Sequence, residues 1–562
     1  MSPHLTRHAL TRRNFLAAAA GTAGAVAAAP LLAACGSAAP TKTGSTTVSQ
    51  LADIMPAYVP LDVAGIAPAY PSVDGSEPGY LSYPTTLVHS VSETPGAGGT
   101  YTAVAPYWGA IPRTAGNTYY QALNGALGAN VSWQPTNGDT ITTTLPTLFA
   151  GNQLPDWIQV PTWAEPPAFG QATQTKLADL TPYLAGDKIK EYPNLAGIFS
   201  NGWQQAIWSG RIMALPNVVS GFTTGVFLYY RADILDKLGI GTPSITSISD
   251  LYDLGKEIND PAAKRWAFDD IWTFLGYPYD FVSTWYTDSK GDLITGYETE
   301  GIIEAMNWER TIFQAGMVNP DAVAGDTGTA KQRFWSGQNL ITADGSGAWD
   351  GGDVVSGSAA NKGYVRQAFN FFAAGGGTPR IALAPPTEYL SYFNKNLSSS
   401  QIKELLRIAN YLAAPFGSYE FTLVNYGAAS TDYTMSGDGP VLTATGNKDV
   451  DSTVPILLSS PNNVISNPGY ASVTTASAQF EQRNARYGYK PLFYAQNVTV
   501  PNDLTTAYTF APFTSTTNIM YEVVRGRATI ADYKSTLNEW LRNGGSKLKA
   551  YFETVRTKYG TS

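Results

Sequence analysis

Apolar positions along the chain follow two rhythms, one helical and one strand-like. Over Asn117–Leu127, Tyr120, Leu123 and Leu127 fall at i, i+3 and i+7, which predicts a helix with one buried face. The run Asn130-Val131-Ser132-Trp133-Gln134 alternates and predicts a strand. A second helix is predicted over Thr140–Ala150, stopped by Gly151. Ile212–Leu215 reads as a short strand closed by Pro216, and Gly225–Tyr230 as another. Helices are predicted over Arg231–Leu238, Ser249–Ile258, Gly301–Ala315 and Ser400–Leu412. Trp266–Phe268 reads as a strand, and Asp288-Ser289-Lys290-Gly291-Asp292 as a hairpin turn. A calcium loop there is disfavoured, because Lys290 stands where an oxygen ligand is needed. Near the end Ile530, Tyr533, Leu537, Trp540 and Leu541 share a face; Gly544-Gly545 breaks it before a last amphipathic helix through Val555. Strands alternating with helices predict an α/β fold, and no repeat suggests a solenoid or propeller.

The body begins near Tyr101. Residues 50–100 are rich in Pro but hold Tyr58, Tyr70, Tyr80 and Tyr83, which predicts an extended segment wrapped on a globular body. Residues 35–49 read as a flexible tether.

Composition narrows the chemistry. The 562 residues carry 36 Lys+Arg against 44 Asp+Glu, a net charge of -8. An acidic chain of this kind argues against nucleic-acid binding. One Cys, Cys35, and three His, at 4, 8 and 89, leave little for disulfides, Cys-rich or multi-His metal sites, or a His-based triad. No metal or cofactor is therefore expected, and carboxylate, hydroxyl and aromatic chemistry remains.

The N-terminus has the layout of an export signal. Residues 1–34 contain no acid, open with Arg7, Arg12 and Arg13, and continue as an Ala/Gly-rich apolar stretch. Thr11-Arg12-Arg13-Asn14-Phe15-Leu16 resembles a twin-arginine signal, and Leu32-Ala33-Ala34-Cys35 resembles a lipobox. The expectation is lipidation of Cys35 and a protein held on the outer face of the bacterial cytoplasmic membrane. An uncleaved membrane helix is the alternative. Losing residues 1–34 removes three Arg and no acids, so the net charge moves from -8 to -11.

Several strings carry a resemblance. Leu148-Phe149-Ala150-Gly151-Asn152-Gln153-Leu154-Pro155-Asp156-Trp157 resembles an A-x-G-x-L-P-D turn, and Gly210-Arg211-Ile212-Met213-Ala214-Leu215-Pro216 a G-K-x-Y-A-L-P strand. Leu228–Leu235 resembles L-x-Y-N-K-D-L-L, and Phe334–Ile341 through Trp349 resembles F-x-x-G-K-A-A-M…W. Asn425-Tyr426-Gly427 through Asp432-Tyr433 and Trp540–Gly545 complete the set. From Tyr101 onward the chain thus resembles the extracellular solute-binding proteins of bacterial ABC importers, family 1, in their large carbohydrate-binding lipoprotein branch. The stretch Asp344–Ala348 is longer and more Gly-rich than that pattern.

The resemblance implies a two-lobed periplasmic-binding-protein-like fold of type II, with a hinge and an interlobe ligand cleft. It implies lobe 1 over 101–218 plus 380–415, lobe 2 over 219–379 plus 416–562, and crossings near Pro216–Gly225 and Arg380–Pro386. It also implies a monomer delivering its ligand to ABC permease subunits; no Walker A string suggests ATP binding by this chain.

Sugars are gripped by aromatic rings on their C–H faces and by amides, carboxylates and Arg on their hydroxyls. Trp108 follows the first strand, beside Arg113, where α/β sheets bind ligands. Asp156 follows the Gly turn, and Trp163 lies on a Pro-flanked loop. Asp270 and Trp272 follow Trp266–Phe268, and Tyr426 and Asp432 belong to the C-terminal string. The resemblance places Asp344 and Trp349 in a second-lobe loop and has Trp349 stack on sugar. The bland readings stand beside these: Trp as core, Asp156 as a turn cap, Asp270 as a helix cap. The Tyr229-Tyr230-Arg231 run is expected to serve hinge and packing. A secreted polysaccharide-degrading enzyme is the alternative function, since a glycosidase needs only two carboxylates. No string pairs two acids in a recognisable catalytic motif. A surface-adhesion lipoprotein fits the α/β pattern less well.

Overall fold

The computed structural model describes residues 48–61, 66–151, 154–326, 328–450, 457–458, 461–514 and 518–560. The signal, with Arg12 and Arg13, and the lipobox Cys35 lie outside the described residues. The frame is carried by strands β1 (Thr100–Tyr107), β2 (Asn130–Asn137), β3 (Trp157–Pro161), β4 (Leu215–Val219), β5 (Phe227–Arg231), β6 (Trp266–Phe268), β7 (Asn339–Asp344), β8 (Arg366–Ala368) and β9 (Thr387–Phe393).

Two sheets result, each with its own core. The first has the order β2-β1-β3-β9-β4, with β2, β1 and β3 parallel and β9 antiparallel to its neighbours. Its core holds Leu123, Leu145, Trp157, Ile158, Leu390 and Leu405, all fully buried. The second has the order β8-β5-β7-β6 and a core with Leu228, Phe268, Phe274, Phe334 and Ile341. Burying each such side chain contributes roughly 1.5–3 kcal/mol, which offsets the entropy of ordering the chain. The fold is the expected α/β pair of lobes.

Local chemistry explains the helix ends. Asn117 caps Thr118–Leu127 by accepting from the Tyr120 amide, and Gly128 ends it at φ 63°. Ile248–Ile258 and Ser399–Leu412 open on capping boxes, Ser247 with Asp250 and Ser398 with Gln401. The expected break near the C-terminus is real: Gly544, at φ 137°, interrupts the helical backbone. The 288–292 turn joins antiparallel strands, and Asp288 accepts from the Lys290 and Asp292 amides at 2.8 and 2.9 Å.

Pro216 does not close its strand. β4 runs through it to Val219, which is possible because β4 lies at the sheet edge, where a missing N–H costs least. Leu423 and Val424 pack into the first core, although 416 onward was expected in the second lobe. Helix Tyr419–Tyr426 follows Ser399–Leu412 directly and shares its core.

The chain passes between cores at 219–222 and 381–390. The passing strands bond to one another: the Ser220 amide donates to Pro386 O (3.0 Å), and Ala384 to Thr223 O (2.8 Å). A third crossing, unforeseen, runs at 461–465, where the Asn463 amide donates to Val219 O (3.0 Å). Residues 78–80 join its other side, through Ile465 N to Pro78 O and Tyr80 N to Ile465 O. The N-terminal segment begins with helix Val48–Ile54 and then lies mostly without regular structure against both lobes. No helix among the described residues is long and apolar enough to cross a membrane.

Candidate ligand-binding site

The chain leaves β4 at its C-terminal end and enters β5 at its N-terminal end. The sheet edges that face across the hinge are therefore the C-terminal ends of β1–β4 and of β6–β8. Strand C-terminal ends are where open α/β sheets bind ligands.

On the first lobe this edge is aromatic. Trp108 follows β1, Trp163 follows β3, and Tyr389 lies near the start of β9. Trp108 lies 6.1 Å from Trp163 and 6.3 Å from Tyr389, centroid to centroid, with tilted planes. Gly138, after β2, makes room for Trp108: a Cβ there would sit 2.3 Å from the indole. Thr162 ties the β3 loop to β9 by donating to the carbonyls of Thr387 (3.3 Å) or Glu388 (3.2 Å). Trp163 is 57% exposed, a large apolar surface left to water at the mouth of the hinge.

Carboxyls lie on the same loop and strand as these rings. Burial pushes Glu165 up to about 8. Tyr508, a partly exposed ring of the second lobe, lies within electrostatic reach of Glu165. Glu388 is raised to about 7 by burial and then by Glu77. Burial also raises Glu77 and holds Glu481 well above the carboxylate range. The Glu77 amide donates to Glu481 Oε2 at 2.8 Å. Neutral carboxyls can donate as well as accept, which suits a hydroxyl-rich partner. Among the described residues no group of His, Cys, Asp or Glu is arranged to hold a metal ion.

Trp108 and Trp163 are thus brought together, and the other predicted residues are engaged elsewhere. Trp349 is only 6% exposed; its ring packs edge-on against Tyr229 (5.7 Å) and Phe480 (6.0 Å) in the second core. Asp344 stands at the facing edge but pairs with buried Arg366 at 3.3 Å. That guanidinium also lies 4.6 Å over the Tyr229 ring, which gives Tyr229 its packing role. Asp270 accepts from the Trp272 amide at 2.9 Å in a turn just ahead of helix Trp272–Leu275, whose cap position is Ile271. Trp272 is buried against Phe281 and Tyr521. Asp156 sits at the opposite end of β3, accepting from the Thr102 amide (2.8 Å). Arg113 forms a two-pronged pair with buried Asp449, 2.9 Å on each arm. Asp432 is fully buried, accepting from Thr118 Oγ1 (2.6 Å) and the Ala428 amide (2.8 Å). Tyr426 meets Tyr83 and Tyr433 edge-on.

Tyr389, Glu165 and Glu388 were missed. Each had a signal: Glu165 is two residues past Trp163, and Glu388-Tyr389 follows the expected crossing at Arg380–Pro386.

Solved structures share this architecture. An alginate-binding protein, AlgQ2, superposes with a TM-score of 0.60 at 12% identity, covering 84% of this chain and all of its own. An extracellular solute-binding protein from Bifidobacterium longum subsp. infantis gives 0.59 at 12%, covering 83% and 99%. The Streptococcus pneumoniae substrate-binding protein FusA, in complex with kestose, gives 0.57 at 13%, covering 82% and 99%. At such identity these likenesses establish the fold. No curated protein matches the chain in sequence. The family model for bacterial extracellular solute-binding proteins matches residues 112–417, more than half of the chain. With two cores joined by three crossing segments and this match over more than half of its length, the chain belongs to the bacterial extracellular solute-binding proteins.

Proposed function

We propose that this protein is a lipid-anchored extracellular receptor of an ABC importer, which binds a carbohydrate between its lobes and passes it to permease subunits. The observation that carries this reading is the group Trp108, Trp163 and Tyr389 at the strand ends facing the hinge. Tilted rings about 6 Å apart offer apolar faces to sugar C–H groups, and adjacent carboxyls serve the hydroxyls. Structural neighbours described as alginate-binding, kestose-bound or N-glycan transport proteins support the ligand class. Lipidation rests on Cys35, the one Cys of the chain, standing at the lipobox position.

A sugar that touches both lobes binds the closed arrangement better than the open one and shifts the population toward it. The protein holds its ligand without breaking it. Thermal unfolding against a panel of oligosaccharides tests this. A true ligand at one hundred times its Kd adds about 2.7 kcal/mol and raises Tm. A shift from a peptide and from no sugar would overturn the carbohydrate assignment. New reducing ends after incubation would overturn the receptor reading in favour of hydrolysis. Cys35→Ser should move the protein from the membrane fraction to the medium; a protein still bound to membranes would contradict the lipid anchor.

A further inference from the structure

We infer that residues 493–500 form a latch between the lobes, with Asn497 as its positioning residue. This rests on the reading that the lobes open and close around a ligand.

The segment belongs to one lobe and grips the other. Val498 and Val500 lie in the second core, whereas Phe169, Ile207 and Trp208 lie in the first. Between them, the Asn497 side-chain amide donates to Ile207 O at 3.0 Å and to Gln205 O. Gln205 ends helix Ser200–Gln205, and the last carbonyls of a helix have no partner within it. Asn497 therefore satisfies one lobe's helix end from the other lobe. Gln171 donates its amide back to Val500 O. Gly170 permits the approach: a Cβ there would lie 2.8 Å from Thr499 Oγ1 and 3.0 Å from Thr499 Cα.

The latch lies beside the hinge and is connected through Gln205 to the crossing strand that leads into the site. Neither the Asn497 bonds nor the Gln171 bond falls on the crossing strands. Gln205, which receives Asn497 on its carbonyl, accepts the Thr387 amide on its side chain at 3.1 Å. Thr387 begins β9, one residue before Glu388 and two before Tyr389. The segment also stores strain: Phe493 and Ala495 hold φ of 61° and 57°, a region side-chain-bearing residues seldom occupy. Phe493 packs on Trp285 and Phe552 of its own lobe, which anchors the strained turn and presents Asn497 to the other lobe. The latch thus weights the closed state and slows opening.

Single-molecule energy transfer on the full mature chain tests the latch without any ligand. Dyes are placed through Gln134→Cys and Lys362→Cys, one exposed site on each lobe, in a Cys35→Ser background. Asn497→Ala should lower the closed-to-open ratio about tenfold, the factor that about 1.4 kcal/mol supplies. Gln171→Leu should shift it the same way and less. An unchanged ratio in both folded variants would overturn the latch. Because no sugar enters the measurement, failure of the carbohydrate assignment leaves this result readable.

Discussion

Trp108 and Trp163 lie 6.1 Å apart on the loops that follow two parallel strands of one sheet. Trp163 is held by its loop and hardly by packing. Trp163→Ala should therefore weaken oligosaccharide binding by ~1–3 kcal/mol and leave Tm nearly unchanged. Trp108→Ala, at a half-buried ring seated on Gly138, should weaken binding and lower Tm together. Calorimetry beside thermal unfolding separates the two effects.

Trp349 should behave in the opposite way. Its ring fills space between Tyr229 and Phe480, so Trp349→Ala leaves a cavity costing ~3–5 kcal/mol. Affinity per folded molecule should hold. Urea denaturation checks the first part; a stable variant that no longer binds sugar would return Trp349 to the site.

The carboxyls set a pH dependence. Glu165 titrates near 8 in the folded chain, against an ordinary value of 4.5 that the unfolded chain approaches. Between these values the unfolded state has lost the proton and the folded state keeps it, so stability falls as pH rises and levels off above about 8. Glu388 adds the same slope up to about 7. The protein should be more stable at pH 5 than at pH 8. Glu165→Gln and Glu388→Gln should each flatten that fall, and an unchanged slope in both would refute the burial of these groups.

Asp449 has the reverse sign. Arg113 and the Thr118 amide hold it down to about 2, so its contribution is lost as pH falls below the ordinary 3.8. Arg113→Ala should move acid unfolding to higher pH and leave sugar affinity alone. Lost affinity with unchanged acid unfolding would place Arg113 in the cleft.

Local signals were legible and distant ones were not. The apolar spacing of Leu251, Leu254 and Ile258, and of Ile402, Leu405, Ala409 and Leu412, is written in nearby residues, so those helices were found to within one position. Trp108 could be read because it follows a strand directly, and Trp163 because prolines flank its loop. The fate of Trp349 depends on Phe480, far along the chain, and no spacing rule announces that contact. The crossing at 461–465 has no periodicity to detect, since it is extended backbone outside any regular strand. Arg113 and Asp432 look like ligand groups in sequence; buried partners across the fold give them structural work instead.

Titration calorimetry of the mature chain with oligosaccharides, repeated with the Trp108→Ala/Trp163→Ala double variant, tests the central claim most directly. The account predicts saturable binding of at least one oligosaccharide and its loss by more than tenfold in the folded double variant. Equal affinity in the two proteins, or no sugar binding by the parent, would contradict it.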